Sequence, residues 1–295
     1  MTTDQFTLGA GNQDQFRAWN GDEGHQWAAN AAYYDTAVRQ HHQRLMQAAA
    51  IGPDDRVLDV GCGTGQCTHD AARRAVRGAA LGIDLSLPMI RMATATARGE
   101  GLPNASFVRG DAQVHPFPPR TFDIAVSRFG SMFFSDQVGA LTNIGRALRP
   151  HGRLLLVSWR SARENDWISV LREALLPGAP APEATTNTPG PFRHADRNDT
   201  MAILAASGYA AICMQSLDVP MHLGRDADDA FAVLGPLFAW MVHDLDPPAA
   251  RRAFDRMRAV LRSHQTADGV ALGSAAWLIT ARRSHTPPRH REAGA

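Results

Sequence analysis

The sequence predicts an α/β fold: an open, mostly parallel sheet with helices on both faces. From Arg56 to about Trp159, short apolar runs alternate with amphipathic segments. Strands joined by helices in this way pack as a parallel sheet with right-handed crossovers. The residues suited to chemistry also fall at one edge. Gly61 follows the first apolar run, Asp84 ends the second, Asp111 follows the third and Ser127 lies late in the fourth. In such a sheet, ligands bind at the carboxyl ends of the strands.

Residues 1–15 are polar and glycine-rich, and are expected to fray. Residues 19–50 form an aromatic-rich arm in which Val38, His42, Leu45 and Ala49 recur at helical spacing, so its second half reads as an amphipathic helix. Gly52-Pro53-Asp54-Asp55 breaks the chain. "RVLDVG" is the first strand, and a helix follows its glycine loop at "QCTHDAARRAV". "AALGIDLS" is the second strand. The next helix starts at Ser86, a suitable cap, with Pro88 tolerated in the first turn. "ASFVRGDA" and "TFDIAVSRF" are strands three and four, residues 136–148 a helix, and "GRLLLVSW" strand five. Beyond Trp159 the pattern loosens. "LLPGAPAPEATTNTPGPF" reads as a Pro-rich loop, residues 197–221 as a helix closed by Gly208 and then a strand, 226–243 and 248–264 as two helices, and "GVALGSAAWLITARR" as one final strand. The tail at 286–295 is expected to be disordered.

Composition narrows the function. The 295 residues carry 30 basic and 29 acidic side chains, so bulk charge gives no sign of a nucleic-acid or membrane partner. All the basic residues are arginine, a bias to which no function is attached. Cys62, Cys67 and Cys213 have no spacing suited to a disulfide scaffold, zinc site or iron–sulfur cluster, so no metal is expected. The amino terminus lacks signal-peptide character and no apolar run is of spanning length, which leads to the expectation of a cytoplasmic protein.

The loop Gly61-Cys62-Gly63-Thr64-Gly65-Gln66 is close to a dinucleotide fingerprint, with its third glycine one place early. Asp59, inside the preceding strand, would repel a pyrophosphate and favour a cationic ligand. Asp84 can accept both hydroxyls of a ribose. A ligand with a ribose, an adenine-like ring, a positive charge and no phosphate satisfies these positions; S-adenosylmethionine is such a molecule.

With these residues in place, the chain resembles the class I SAM-dependent methyltransferases, in the group that includes the ubiquinone/menaquinone-biosynthesis type. The matching segments are Asp59-Val60-Gly61-Cys62-Gly63-Thr64-Gly65, Gly82-Ile83-Asp84-Leu85-Ser86, Gly110-Asp111-Ala112, Phe122-Asp123-Ile124-Ala125-Val126-Ser127 and 148–154. The resemblance implies a Rossmann-like, seven-stranded sheet with its last strand antiparallel, occupying 51–285. An arm at 1–50 would fold over the cofactor, and a helical insertion would span about 221–267. It also implies roles. Asp59 organises the loop near the methionine ammonium, while Gly61 and Gly63 admit the backbone. Asp84 holds the ribose, Leu85 flanks the adenine, Asp111 meets its amino group and Ser127 lines the floor. Cys62, Met89, Gly110 and Ala112 complete the cofactor-binding set, joined by Trp27 and Tyr34 of the arm. His151 stands where the family commonly has glycine.

The reading is a methyltransferase acting at an O, N or C atom of a hydrophobic or aromatic small molecule, of the kind found in secondary metabolism. A nicotinamide-dependent oxidoreductase and a non-catalytic SAM-binding protein are the alternatives. Asp22, Glu23, His25, Arg128 and His243 are weak candidates for a base, and none is assigned as catalytic. His42, His115 and His222 read as surface or core histidines. Asp246-Pro247-Pro248 is read as a helix start. Trp19, Trp27, Tyr33 and Tyr34 are expected to meet the helix pair, with its Phe231, Leu234, Leu237, Phe238, Trp240 and Met241, above strands four and five. Together they would wall an apolar chamber. The competing use of that helix pair is a homodimer interface.

Overall fold

The structure, a computed structural model, describes residues 6–179 and 188–284. The expected tail, and the middle of the expected Pro-rich loop, lie outside the described residues.

Four short helices open the chain: α1 (Gln13–Asn20), α2 (Asp22–Ala29), α3 (Ala31–Ala37) and α4 (Arg39–Ala49). The fraying expected at 1–15 does not hold for residues 6–15, which run into α1 and are pinned to the sheet edge. In α4 the apolar stripe buries Leu45, Met46 and Ala49 together with His41 and His42. The alternation then follows as β1 (Arg56–Val60), α5 (Gln66–Arg74), β2 (Ala79–Asp84), α6 (Leu87–Gly99), β3 (Ala105–Arg109), β4 (Phe122–Arg128), α7 (Gln137–Ala147) and β5 (Leu148–Trp159). Ser86 caps α6 as expected. His151 has φ of 64°, the left-handed region that favours glycine at this turn.

After β5 come α8 (Asp166–Leu175), α9 (Arg197–Ala206), β6 (Tyr209–Asp218), β7 (Met221–Gly224), α10 (Ala227–Phe238), α11 (Pro247–Ser263), β8 (Gln265–Thr266), β9 (Gly269–Leu272) and β10 (Ala275–Arg283). Asp246 caps α11 by accepting from Ala249 N–H at 2.6 Å, so Asp-Pro-Pro starts a helix here. The single final strand expected from Gly269 is two strands.

The main sheet has seven strands in the order β3-β2-β1-β4-β5-β10-β6. β10, the last strand, is antiparallel to both β5 and β6; the remaining pairs are parallel. Strand order reverses at β1 and β4, which makes a crevice at their carboxyl ends. Both faces are buried. Leu155 and Val157 join one core with α4, α5, α8, α10 and α11, while Leu154 and Leu156 join the other with α7 and α9. Each such side chain contributes about 1.5–3 kcal/mol, so register is strongly fixed. The insertion is more than a helix pair, because β7, β9 and β8 form a second, three-stranded antiparallel sheet.

His41 and His194 are buried in these cores. Burial pushes His41 down to about 4, with Arg128 adding to it, and His194 to about 3, with Arg193 adding. An unfolded chain protonates both near pH 6.5. From there down to about pH 4 it therefore binds more protons than the folded state, and stability falls with pH. Asp59, pushed up to about 6 by burial, works in the opposite sense below pH 6. Asp84, whose pKa burial also raises, acts in the same sense as Asp59, but both act only below their folded pKa. The two histidines lose stability from about pH 6.5 downward, which gives a net loss on acidification. We expect a thermal midpoint several degrees lower at pH 5 than at pH 7, and a shallower dependence in His41→Phe. Identical profiles for the two proteins would refute this account.

Candidate active site

The glycine loop after β1 sits at the β1–β4 crevice. Gly61 has φ of 67° and Gly65, which precedes α5, has φ of 92°. A Cβ on Gly61 would lie 2.9 Å from Gly130 Cα. The loops following β1 and β4 therefore touch backbone to backbone. Ser127 locks this contact: its Oγ donates to Val60 O at 2.7 Å and accepts from Ser131 N–H at 3.0 Å. Ser127 lies beneath the crevice, with its hydroxyl spent on the scaffold.

The N–H groups of the loop are turned inward. Gly61 and Cys62 donate to Ile83 O at 2.9 and 3.0 Å, and Gly65 to Cys62 O at 2.9 Å. Gly63 donates to Asp84 Oδ2 at 2.8 Å. A phosphate-binding loop needs such donors free; here those of all three glycines and of Cys62 are used. Asp84 also accepts from Ser86 N–H through Oδ1 at 2.8 Å. Each of its oxygens retains lone-pair capacity for a further donor. Burial raises the Asp84 pKa, opposed by the N–H groups of Ser86 and Gly63.

Asp59 is fully buried and accepts from Thr68 Oγ1 at 2.6 Å, tying α5 to β1. Gly82, its register partner on β2, leaves room for this. A Cβ there would lie 2.7 Å from Thr68 Oγ1 and 2.8 Å from Cys62 Sγ. Burial beside Asp84 and Asp59 pushes the Cys62 thiol well up, so it is an inert packing group. Met89 is buried, its sulfur 3.7 Å from the position of a Cβ on Gly63. The Leu85 carbonyl accepts from Asn20 Nδ2 at 3.1 Å, and the Ala112 carbonyl from Asn143 Nδ2 at 2.9 Å. Gly110 N–H donates to Asp84 O at 2.9 Å.

Asp111 is buried and already engaged, with Oδ2 accepting from Gly9 N–H at 2.8 Å and Asn12 Nδ2 at 2.9 Å. The arm stacks Trp27 on Tyr34 at 3.7 Å between centroids, and sets Trp19 edge-on to Phe133, beyond β4, at 5.2 Å. Gly24 brings α2 against the cap of α6, where an added Cβ would lie 3.0 Å from Ser86 Oγ.

Among the weak candidates, Arg128 alone is drawn in. It pairs with Asp35 at 2.8 Å and contacts Gln66. Asp22, Glu23, His25 and His243 are exposed. Trp240 is 64 % exposed, so it is no part of an inner wall; Pro236 ends α10 and the following 3-10 turn carries Trp240 outward. Leu234 and Phe238 are buried, while Phe231, Leu237 and Met241 are partly so. Of the helix pair, α11 packs on α8, onto whose Ala174 and Leu175 carbonyls Arg256 donates at 2.7 and 3.0 Å, while α10 packs on α11 and the small sheet. The arm reaches the insertion instead through Tyr33 Oη, which donates to Leu223 O at 2.9 Å. A groove of about 460 Å³ between α10 and α11, lined by Phe231, Phe254 and Arg258 among others, includes no residue of the main sheet.

Sequence reasoning missed His41. It packs edge-on to Phe129 and Trp159 at the ends of β4 and β5, with centroids 5.5 and 5.1 Å away. Ser274 Oγ donates to Val219 O at 2.5 Å, so it accepts from His41 Nε2–H at 3.0 Å and leaves Nδ1 as a bare, buried lone pair. Among the described residues, Asn12 Oδ1, Ser131 Oγ and Arg160 Nε are likewise buried without a partner. Ser131 and Arg160 follow β4 and β5, and Asn12 is bound to Asp111 beyond β3. Native folds leave few such atoms unpaired.

Comparison with known proteins agrees with this geometry. Residues 57–152 match the model of a family described as a methyltransferase domain. These residues are similar to a methyltransferase domain. Aklanonic acid methyltransferase DauC of Streptomyces sp. (strain C5) is 36% identical over 117 residues, covering 39% of this chain and 53% of that protein. Nocamycin O-methyltransferase of Saccharothrix syringae is 35% identical over 151 residues, covering 50% and 53%. The chain thus spans about half the length of these curated relatives. The solved YcgJ protein of Bacillus subtilis superposes with a TM-score of 0.55 at 18% identity, over 84% of this chain and 100% of that one. The two chains thus share a fold across most of this chain's length. No helix among the described residues is long and apolar enough to cross a membrane.

The Gly61–Gly130 contact leads to a stability test. Gly61→Ala combines a left-handed φ with a backbone clash, and should cost about 1–3 kcal/mol. The thermal midpoint should drop by several degrees. A midpoint unchanged from wild type would show that the two loops are free to part.

Proposed function

We propose that the protein is a SAM-dependent methyltransferase that methylates an O, N or C atom of a hydrophobic or aromatic small molecule. One observation carries the choice of cofactor. The N–H groups of Gly61, Cys62, Gly63 and Gly65 are spent on Ile83, Cys62 and Asp84, so the glycines offer none of theirs to a pyrophosphate, while Asp59 and Asp84 put carboxylates beside the loop. That disfavours a nicotinamide dinucleotide and suits a cationic nucleoside. Relatives named for aklanonic acid and nocamycin support a natural-product-like acceptor.

The cofactor supplies a methyl group already activated by a sulfonium, so the reaction is an in-line displacement in which alignment and dryness matter most. Asp84 holds the ribose hydroxyls with the lone pairs its backbone donors leave over. Gly61 and Gly63 let the chain approach. Leu85 and Met89 flank the base, with the backbone of Gly110 and Ala112 beside it. Asp59 holds the loop in place through Thr68, and Cys62 packs beneath it. The aromatic groups Trp19, Trp27, Tyr34, Phe129, Phe133 and Trp159 exclude water and favour an apolar acceptor.

Calorimetry should show S-adenosylmethionine and S-adenosylhomocysteine binding in the micromolar range, roughly −7 to −9 kcal/mol. Binding of NAD(P) alone would overturn the reading. A screen of aromatic acceptors should yield a product about 14 Da heavier, the mass of one added CH₂. Asp84→Ala should weaken S-adenosylhomocysteine at least about tenfold. It should also lower the thermal midpoint, since Gly63 and Ser86 lose their acceptor. Unaltered affinity would reduce Asp84 to a purely structural group.

A further inference from the structure

The amino-terminal segment closes over the carboxyl end of β3 through a run of specific contacts. Arg109, the last residue of β3, lies over the rings of Phe6 and Phe16, 4.9 and 5.1 Å from their centroids, and donates to Asn20 Oδ1 at 3.0 Å. Asn20 donates to Leu85 O and accepts from Leu87 N–H, both at 3.1 Å. Ser135 Oγ lies 3.3 Å from Ala10 O. Gly9 and Asn12 bind Asp111 as described above.

One atom of this clasp is left over. Asn12 is 1 % exposed, and its carboxamide can face only one way: the nitrogen must meet the Asp111 carboxylate, because two oxygens would repel. Its Oδ1 then has no donor. Gln113 provides the contrast. Its Nε2 also donates to Asp111 Oδ2, at 3.2 Å, but its Oε1 accepts from Asp136 N–H at 2.7 Å and Ser135 Oγ at 3.1 Å. Of the two amides on Asp111, only that of Asn12 keeps a vacant acceptor.

We propose that residues 6–20 complete the cofactor site, and that Asn12 Oδ1 accepts a hydrogen bond from the exocyclic amino group of the adenine, beside Asp111. This rests on the SAM reading above. Asp111 Oδ2 is filled by three donors, whereas Oδ1 takes only Gln113 N–H at 3.0 Å. Asp111 Oδ1 and Asn12 Oδ1 thus offer two acceptors to a group that carries two N–H donors. A 6-oxopurine would present an oxygen to both.

The test is calorimetric titration with S-adenosylhomocysteine and with its 6-oxo counterpart, S-inosylhomocysteine. The wild-type protein should prefer the former by about tenfold or more, the scale of a buried acceptor left unpaired. Asn12→Leu should lose most of that preference. Gln113→Leu, which removes a donor from the same Asp111 oxygen, should keep it. Thermal unfolding reports whether each variant is folded. If Asn12→Leu is not, Asn12→Ala removes the same oxygen without adding bulk beside Asp111, and should lose the preference in its place. No preference in the wild type, a preference intact without Asn12, or equal loss in the Asn12 and Gln113 variants would overturn the inference. Wild-type protein that binds neither nucleoside would instead overturn the cofactor reading, and this inference with it.

Discussion

The carboxyl edge of the sheet depends on how closely the chain leaving β1 approaches the chain leaving β4. Two glycines make that approach, Gly61 and Gly130, and no side chain fits between them. Ser127 fastens it by bridging Val60 O and Ser131 N–H. From this one junction the glycine loop takes its left-handed path, Gly63 N–H meets Asp84, and the aromatic residues 129 and 133 are directed over the crevice. A parallel sheet provides an edge for ligands; this junction gives the edge its shape.

Charge is arranged there with unusual economy of donors. A loop rich in glycine ordinarily presents a nest of N–H groups to an anion. Here the nest is closed by the protein's own carbonyls and by Asp84, and Asp59 is buried behind it. With the glycine donors spent and two carboxylates beside them, a loop so near the dinucleotide pattern need not bind a dinucleotide. The buried polar atoms without partners, on Asn12, His41, Ser131 and Arg160, lie around the same edge. Leaving such groups unpaired costs stability, and the surrounding core is large enough to bear it.

Above the edge the chain supplies covers from both directions. The arm contributes an aromatic stack and a clasp on β3, while the insertion contributes α10 and the small sheet. They share one apolar core with Phe129, Phe133 and Trp159. The insertion is held mainly by α8, so the arm keeps a lighter attachment through Tyr33. This division gives the two covers separate supports.

The sequence by itself determined the alternation of strands and helices up to Trp159, the strand ends bearing Gly61, Asp84, Asp111 and Ser127, and the caps at Ser86 and Asp246. These are local signals: periodicity, turn chemistry and hydrogen bonds within three or four residues. α8 carries a local signal too, since Trp167, Leu171 and Leu175 recur at helical spacing, but no element between Trp159 and the Pro-rich run is assigned from the sequence. β7 and β9, at four residues each, are too short for alternation to mark. Only the tertiary structure decided that Trp240 faces out, that residues 6–12 are pinned to Asp111, and that His41 and Asn12 stand at the edge with vacant acceptors. Those facts depend on contacts between residues as far as 102 and 233 positions apart, as for Gly9 with Asp111 and His41 with Ser274. Whether a polar atom is paired is a property of what surrounds it, and no local pattern of residues carries that information.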